Sequence, residues 1–87
     1  MKVIRVVGFA NGEPCPIVGQ YVESFDFDAH GGLGFGVFTL DKRKAMQFAD
    51  AGEAIAFWHT KSRRYPVRAD RKPNRPFTAT TVTIEEA

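Results

Sequence analysis

The segment Phe48-Ala-Asp-Ala-Gly-Glu-Ala-Ile-Ala-Phe-Trp58 carries a helix start, an apolar face and an aromatic anchor in one short run. Asp50 followed three residues later by Glu53 is a capping box: the Asp50 carboxylate accepts from the Glu53 backbone N–H, and Glu53 reaches back toward the Asp50 N–H. Both acids also favour the positive end of the helix dipole. With Asp50 as cap, Ala51, Ala54, Ile55, Phe57 and Trp58 share an arc about 160° wide at about 100° per residue, broad enough to lie on a sheet.

The sheet is legible on either side of that helix. Lys2 to Phe9 is rich in Val and Ile with apolar residues at both parities, the pattern of a strand covered on both faces and therefore central. Asn11 to Pro16 is loop, because Pro14 and Pro16 flank Cys15 and restrict the residues before them. From Gln20 to Phe27, Tyr21, Phe25 and Phe27 share one parity, the alternation of a half-buried strand, with Glu23 breaking the row as at an edge. Asp28 to Gly32 supplies turn residues, and Phe35 to Leu40 reads as the returning strand of a hairpin. Asp41 caps a short helix from Lys42 to about Phe48. Tyr65 to Pro76 is extended and proline-punctuated, and Phe77 to Glu85 has the Thr and β-branched content of a last strand. The order β-β-β-α-α-β predicts an α+β fold, an antiparallel sheet of three to four strands with one main helix packed on one face. Trp58, Phe57, Ile55, Phe48 and Phe25 are the expected core.

Eighty-seven residues form one domain, 1–87, and a 44% hydrophobic content suffices for a small core without a metal or disulfide staple. Cys15 is the single cysteine, so no intramolecular disulfide forms and nothing asks for an oxidising compartment. Arg5 interrupts the first apolar run, which fits a buried strand and neither a signal-peptide core nor a membrane span. A cytoplasmic protein without membrane contact is the expectation. The net charge is +2, but it is unevenly placed. Lys61, Arg63, Arg64, Arg68, Arg71, Lys72 and Arg75 face the single acid Asp70 between residues 61 and 76, giving this arm +6 and the rest of the chain −4.

Chemical motifs are weaker. Gly31-Gly32-Leu33-Gly34-Phe35-Gly36 has the glycines of a phosphate-binding loop, yet it runs into a strand with no helix and no Lys-Ser/Thr pair behind it, so it reads as a hairpin turn. Cys15 would act as a nucleophile only with a histidine beside it, and His30 and His59 are both distant in sequence. A metal site from Asp28, His30, His59 and Cys15 would need unrelated segments to converge. No catalytic residue, metal ligand or cofactor is predicted, and a non-enzymatic role is expected.

Thr39, Asp41, Lys44, Ala45, Phe48, Glu53 and Ala54 fit a strand, then "T-x-D-x-x-K-A-x-x-F" and an "E-A" helix. In this the chain resembles short proteins of proteobacteria and their phages that carry no assigned activity. Lys72-Pro-Asn-Arg-Pro-Phe77, followed by Thr-Val-Thr-Ile-Glu85, is similar to the ending of such proteins. That ending has an Asp-Gly-Lys turn, and Arg71 stands here where the glycine would be, which leaves the tight turn open. The spacing of Phe48, Ala54 and Phe57 is also similar to that in the accessory small subunit of respiratory complex I. This second resemblance implies a strand-helix packing module and no respiratory role.

The arm is the principal candidate for binding. Guanidinium groups pair bidentately with phosphate, Tyr65 can stack on a base, and Lys42, Arg43 and Lys44 add a second basic cluster. The expected binding residues are Arg63, Arg64, Tyr65, Arg68, Arg71, Lys72 and Arg75 with Lys42, Arg43 and Lys44. The expected role is a small interaction module that binds a protein partner, with nucleic-acid binding through residues 61–76 as the alternative. Edge-strand pairing into a homodimer is a further expectation if the last strand is outermost.

Overall fold

The computed structural model describes residues 1–87. β1 (Lys2–Phe9), β2 (Tyr21–Asp26), β3 (Phe35–Thr39) and β4 (Thr80–Glu86) form one antiparallel sheet in the order β3-β2-β1-β4. The fold is α+β, as its sequence predicts, with β1 central. A short kinked helical turn, α1 (Ala29–Gly32), joins β2 to β3, and the main helix, α2 (Ala51–Trp58), covers one face.

The cap of α2 forms as its sequence requires. Asp50 Oδ1 accepts from the Glu53 N–H at 2.8 Å, while Glu53 Oε2 accepts from the Ala49 N–H at 3.1 Å, one residue beyond the expected partner. The helix buries Ala54 and sets Phe57 and Trp58 half inside, but Ala51 is exposed and Ile55 is 48% exposed. Ile55 is therefore not a core residue: α2 lies over β1 and β4, and this side chain reaches past the sheet's open margin.

The core is built from Ile4, Val22, Phe48, Ala54 and Phe77, with Phe25, Phe27, Phe38, Phe57 and Trp58 packed around them. Phe77 is its centre, stacked on Phe25 at 4.6 Å and meeting Phe38 and Phe57 edge-on. The sequence places Phe77 at the start of the last strand. It lies instead in a 3₁₀ turn, Pro76–Ala79, which turns the ring inward before β4 begins. Gly36 leaves room for the Phe25 and Phe38 rings, since a Cβ there would sit 2.4 Å from Phe38 Cε2.

Two expectations fail for tertiary reasons. The helix predicted over Lys42–Phe48 is only a 3₁₀ turn, Lys42–Lys44, followed by extended chain. β1 and β2 pair directly only around Arg5 and Tyr21 and then diverge, and the extended chain fills the gap. Phe48 exchanges two backbone hydrogen bonds with Lys2, and the Met46 N–H donates to the Val22 carbonyl. This pairing outweighs the weak helix propensity of a segment so short. The shared parity of Tyr21 and Phe25 also fails. Glu23 marks a register shift in β2, the signature of a bulge in an interior strand. As a result Val22 and Phe25 both face the core, while Tyr21 lies on the opposite face beside Arg5.

Candidate functional site

The basic arm is an ordered hairpin. Prolines 66, 73 and 76 do not hold it open as a lone strand: Val67 bridges Pro73, the Asn74 N–H donates to the Pro66 carbonyl, and the Arg68 N–H donates to the Lys72 carbonyl. Arg71 closes the tip in the left-handed region at φ 68°, so the tight turn forms with an arginine in the conformation that favours glycine.

One carboxylate seats the arm on the body. Asp28 Oδ1 accepts from Ser62 Oγ at 2.6 Å, the Arg63 N–H at 2.9 Å and the Arg64 N–H at 3.1 Å, and Ser62 Oγ in turn accepts from the Tyr65 N–H. These donors, the Ser62 hydroxyl first, hold the Asp28 carboxyl below its ordinary value. Ser62 is buried as a consequence. Asn74 adds a second clasp, donating through Nδ2 to the carbonyls of Gly32 and Tyr65. Gly32 (φ 91°) permits this approach, because a Cβ there would stand 2.5 Å from Tyr65 Cβ. The glycine run thus serves as the seat of the arm, and a cleft of about 620 Å³ separates the arm from Ala10, Asn11 and Leu33.

The structure divides the predicted binding residues. Arg63, Arg64, Tyr65, Arg68, Arg71 and Lys72 are exposed on the arm, with Arg75 half-buried and donating to the His59 carbonyl. Among the arm's cations only Arg68 has an ion-pair partner, Asp70 at 3.3 Å. Lys42, Arg43 and Lys44 do not join them. They lie near the start of β1, whereas the arm packs near its end. Lys42 is engaged with Glu85 at 3.8 Å and with the Tyr21 ring, and Arg43 with Asp41. The Arg43 hydrogen bonds lower the Asp41 carboxyl as well.

The other candidate residues stay apart. His30 packs on Phe35, His59 on Trp58, and Asp28 is consumed by the arm. No group of three histidine, cysteine, aspartate or glutamate side chains is gathered where it could hold a metal ion. No helix is long and apolar enough to cross a membrane.

A surface that the sequence only hinted at is the free margin of β4. The Ala87 N–H donates to the Met1 carbonyl, in register with the Val3–Glu85 and Arg5–Thr83 pairs. Antiparallel ladders alternate, so residues 83 and 85 spend their backbone groups on β1, and Val82, Ile84 and Glu86 direct theirs outward. Trp58 covers one end of this margin by donating Nε1–H to the Thr80 carbonyl at 3.0 Å. Beside the rest runs an apolar groove of about 360 Å³ lined by Ile55, Trp58, Val82 and Ile84 with Ala10, Thr78 and Thr81. The signal available in the sequence was the proline-free, Thr-rich last strand. The groove depends on Ile55 projecting past the sheet, which periodicity assigned to the core.

The chain matches no family model, no curated protein and no solved structure.

Proposed function

We propose that this protein is an interaction module that binds a protein partner by strand addition along β4. The observation that supports this reading is the coincidence of an unpaired strand margin with an apolar groove beneath it. Backbone groups of Val82, Ile84 and Glu86 would supply affinity, and the groove would select alternate apolar side chains of the incoming strand. β4 lacks the prolines and lysines with which sheet margins are ordinarily blunted, and the one irregularity in its ladder lies on β1, between Val6 and Gly8. Trp58, the only tryptophan, lines the groove and reports its occupancy. Titration of the dilute protein with extended peptides of alternating Val and Thr is expected to give a saturable blue shift in Trp58 emission. A flat response to every such peptide would overturn the reading.

A second reading, nucleic-acid binding by the arm, is favoured by one observation: Lys61, Arg63, Arg64, Arg71 and Lys72 stand on an ordered hairpin without a carboxylate partner. Its mark is salt dependence. Four phosphate contacts on duplex DNA give a log–log slope of about −3.6 that collapses when Arg63, Arg64, Arg68 and Arg71 are changed to Glu. Absence of binding at low salt would retire it.

A further inference from the structure

We propose that the occupant of the β4 margin is a second copy of this chain, paired antiparallel about a twofold axis through Thr83 to make one eight-stranded sheet. The inference rests on the strand-addition reading and names its partner.

Strand register selects the axis. A symmetric pairing must match outward-facing residues with outward-facing residues, and those are Val82, Ile84 and Glu86. An axis at Thr83, the midpoint of β4 from Thr80 to Glu86, sets Val82 against Ile84 of the other copy and Ile84 against its Val82, so that both apolar outward-facing residues are paired and only Glu86 falls opposite Thr80, whose carbonyl stays with Trp58. Apolar pairs then lie directly opposite on the helix face, continuous with Ile55 and the groove, and on the other face Thr83 meets its own counterpart. Moving the axis to Ile84 would set Val82 against Glu86. Moving it to Val82 would spend Ile84 on Thr80, whose carbonyl Trp58 already occupies.

Charge permits the same arrangement. With the axis at Thr83, Glu85 and Glu86 oppose Thr81 and Thr80, so no carboxylate faces another. Each acid is also balanced within its own copy. Glu85 Oε2 lies 2.8 Å from Arg5 Nε, an ion pair whose N–H is not aligned for a hydrogen bond. Glu86 pairs with Lys2, which lowers its carboxyl, and the N-terminal ammonium stands 3.9 Å away. Two such margins can approach without net repulsion, and a twofold contact closes after two copies.

The axis specifies its own test. Thr83 would form a non-hydrogen-bonded pair with its counterpart, with Cα atoms about 4.5 Å apart, inside the range a disulfide spans. Thr81 and its counterpart would lie about 14 Å apart along the strands. In a Cys15→Ser background, Thr83→Cys is expected to oxidise to a covalent dimer and Thr81→Cys is not. Light scattering on the unmodified chain should give twice the chain mass at high concentration. Thr83→Glu sets two carboxylates opposite across the axis while offering Arg5 an extra partner within its own copy, and should return the mass to a single chain with unchanged circular dichroism. A single-chain mass at millimolar concentration would overturn the inference, as would equal oxidation of the two cysteine variants. So would open-ended assembly, which would indicate pairing of β4 with the other free margin, β3. If the mass stays single while strand peptides still shift Trp58 emission, the self-pairing fails and strand addition stands. If neither occurs, both fall.

Discussion

The arm and the β4 margin are both surface, yet they are held in place by opposite means. β4 is secured by its ladder to β1 and by the core beneath it, where Phe77, Phe57 and Ile4 meet. The arm buries only Ser62 and, at its end, Pro76, and hangs on polar contacts to the Asp28 carboxylate and, through Asn74, to the Gly32 carbonyl. The contrast teaches that the two candidate surfaces can be switched off separately: loss of the core should remove both, whereas loss of a polar clasp should release the arm alone.

The severest test of that contrast is Phe77→Ala. Removing a fully buried ring that touches Phe25, Phe38 and Phe57 should cost about 3–5 kcal/mol in chemical denaturation, a large share of the stability of so small a domain, and should disorder β4 and the arm together. Gly32→Ala should act on the arm only. The left-handed backbone alone costs about 1–3 kcal/mol for a residue with a side chain, and the added Cβ strikes Tyr65. Arm amides such as that of Arg68 should then exchange rapidly while those of β1 and β4 stay protected. Loss of protection in both places would show that the arm and β4 unfold as one unit. Asp50→Ala removes one helix cap and should cost about 1 kcal/mol, read as a lower denaturation midpoint. Smaller and opposite in sign, Arg71→Gly relieves the left-handed residue at the arm's tip and should stabilise by up to about 1 kcal/mol.

Acid should separate the two surfaces without mutation. The folded Asp28 carboxyl is held below its ordinary value, so its contribution is fully present above the ordinary carboxylate range and is lost as pH falls through the lowered value. Arm resonances should therefore shift at a pH below the usual Asp midpoint, with the Arg63 and Arg64 amides moving together. In Asp28→Asn that transition should be absent.

The parts of this structure visible in the sequence are those governed by neighbours in the chain. The Asp50–Glu53 cap, the two-faced β1 and the concentration of cations between 61 and 76 are local patterns, and each has its counterpart in the fold. What was not legible depends on distant partners. The extended chain at Met46–Phe48 is claimed by Lys2 and Val22, Phe77 is turned inward by a 3₁₀ turn, and Asp28 finds Ser62 across the fold. The separation of the Lys42–Lys44 cluster from the arm is equally illegible in the sequence, because charge composition carries no information about which end of a sheet a turn occupies. Ile55 is instructive in the other direction. Helical periodicity placed it correctly on the apolar face, and only the width of the sheet left it beside an open groove.

Whether β4 pairs with a second copy of itself is read residue by residue from amide hydrogen exchange at low and high protein concentration. The Thr83 and Glu85 amides, bonded to β1, should be protected at both. The Val82 and Ile84 amides should exchange freely in dilute protein and become protected as concentration rises, in step with the dimer mass. Val82 and Ile84 amides that exchange equally fast at every concentration would rule out pairing through β4.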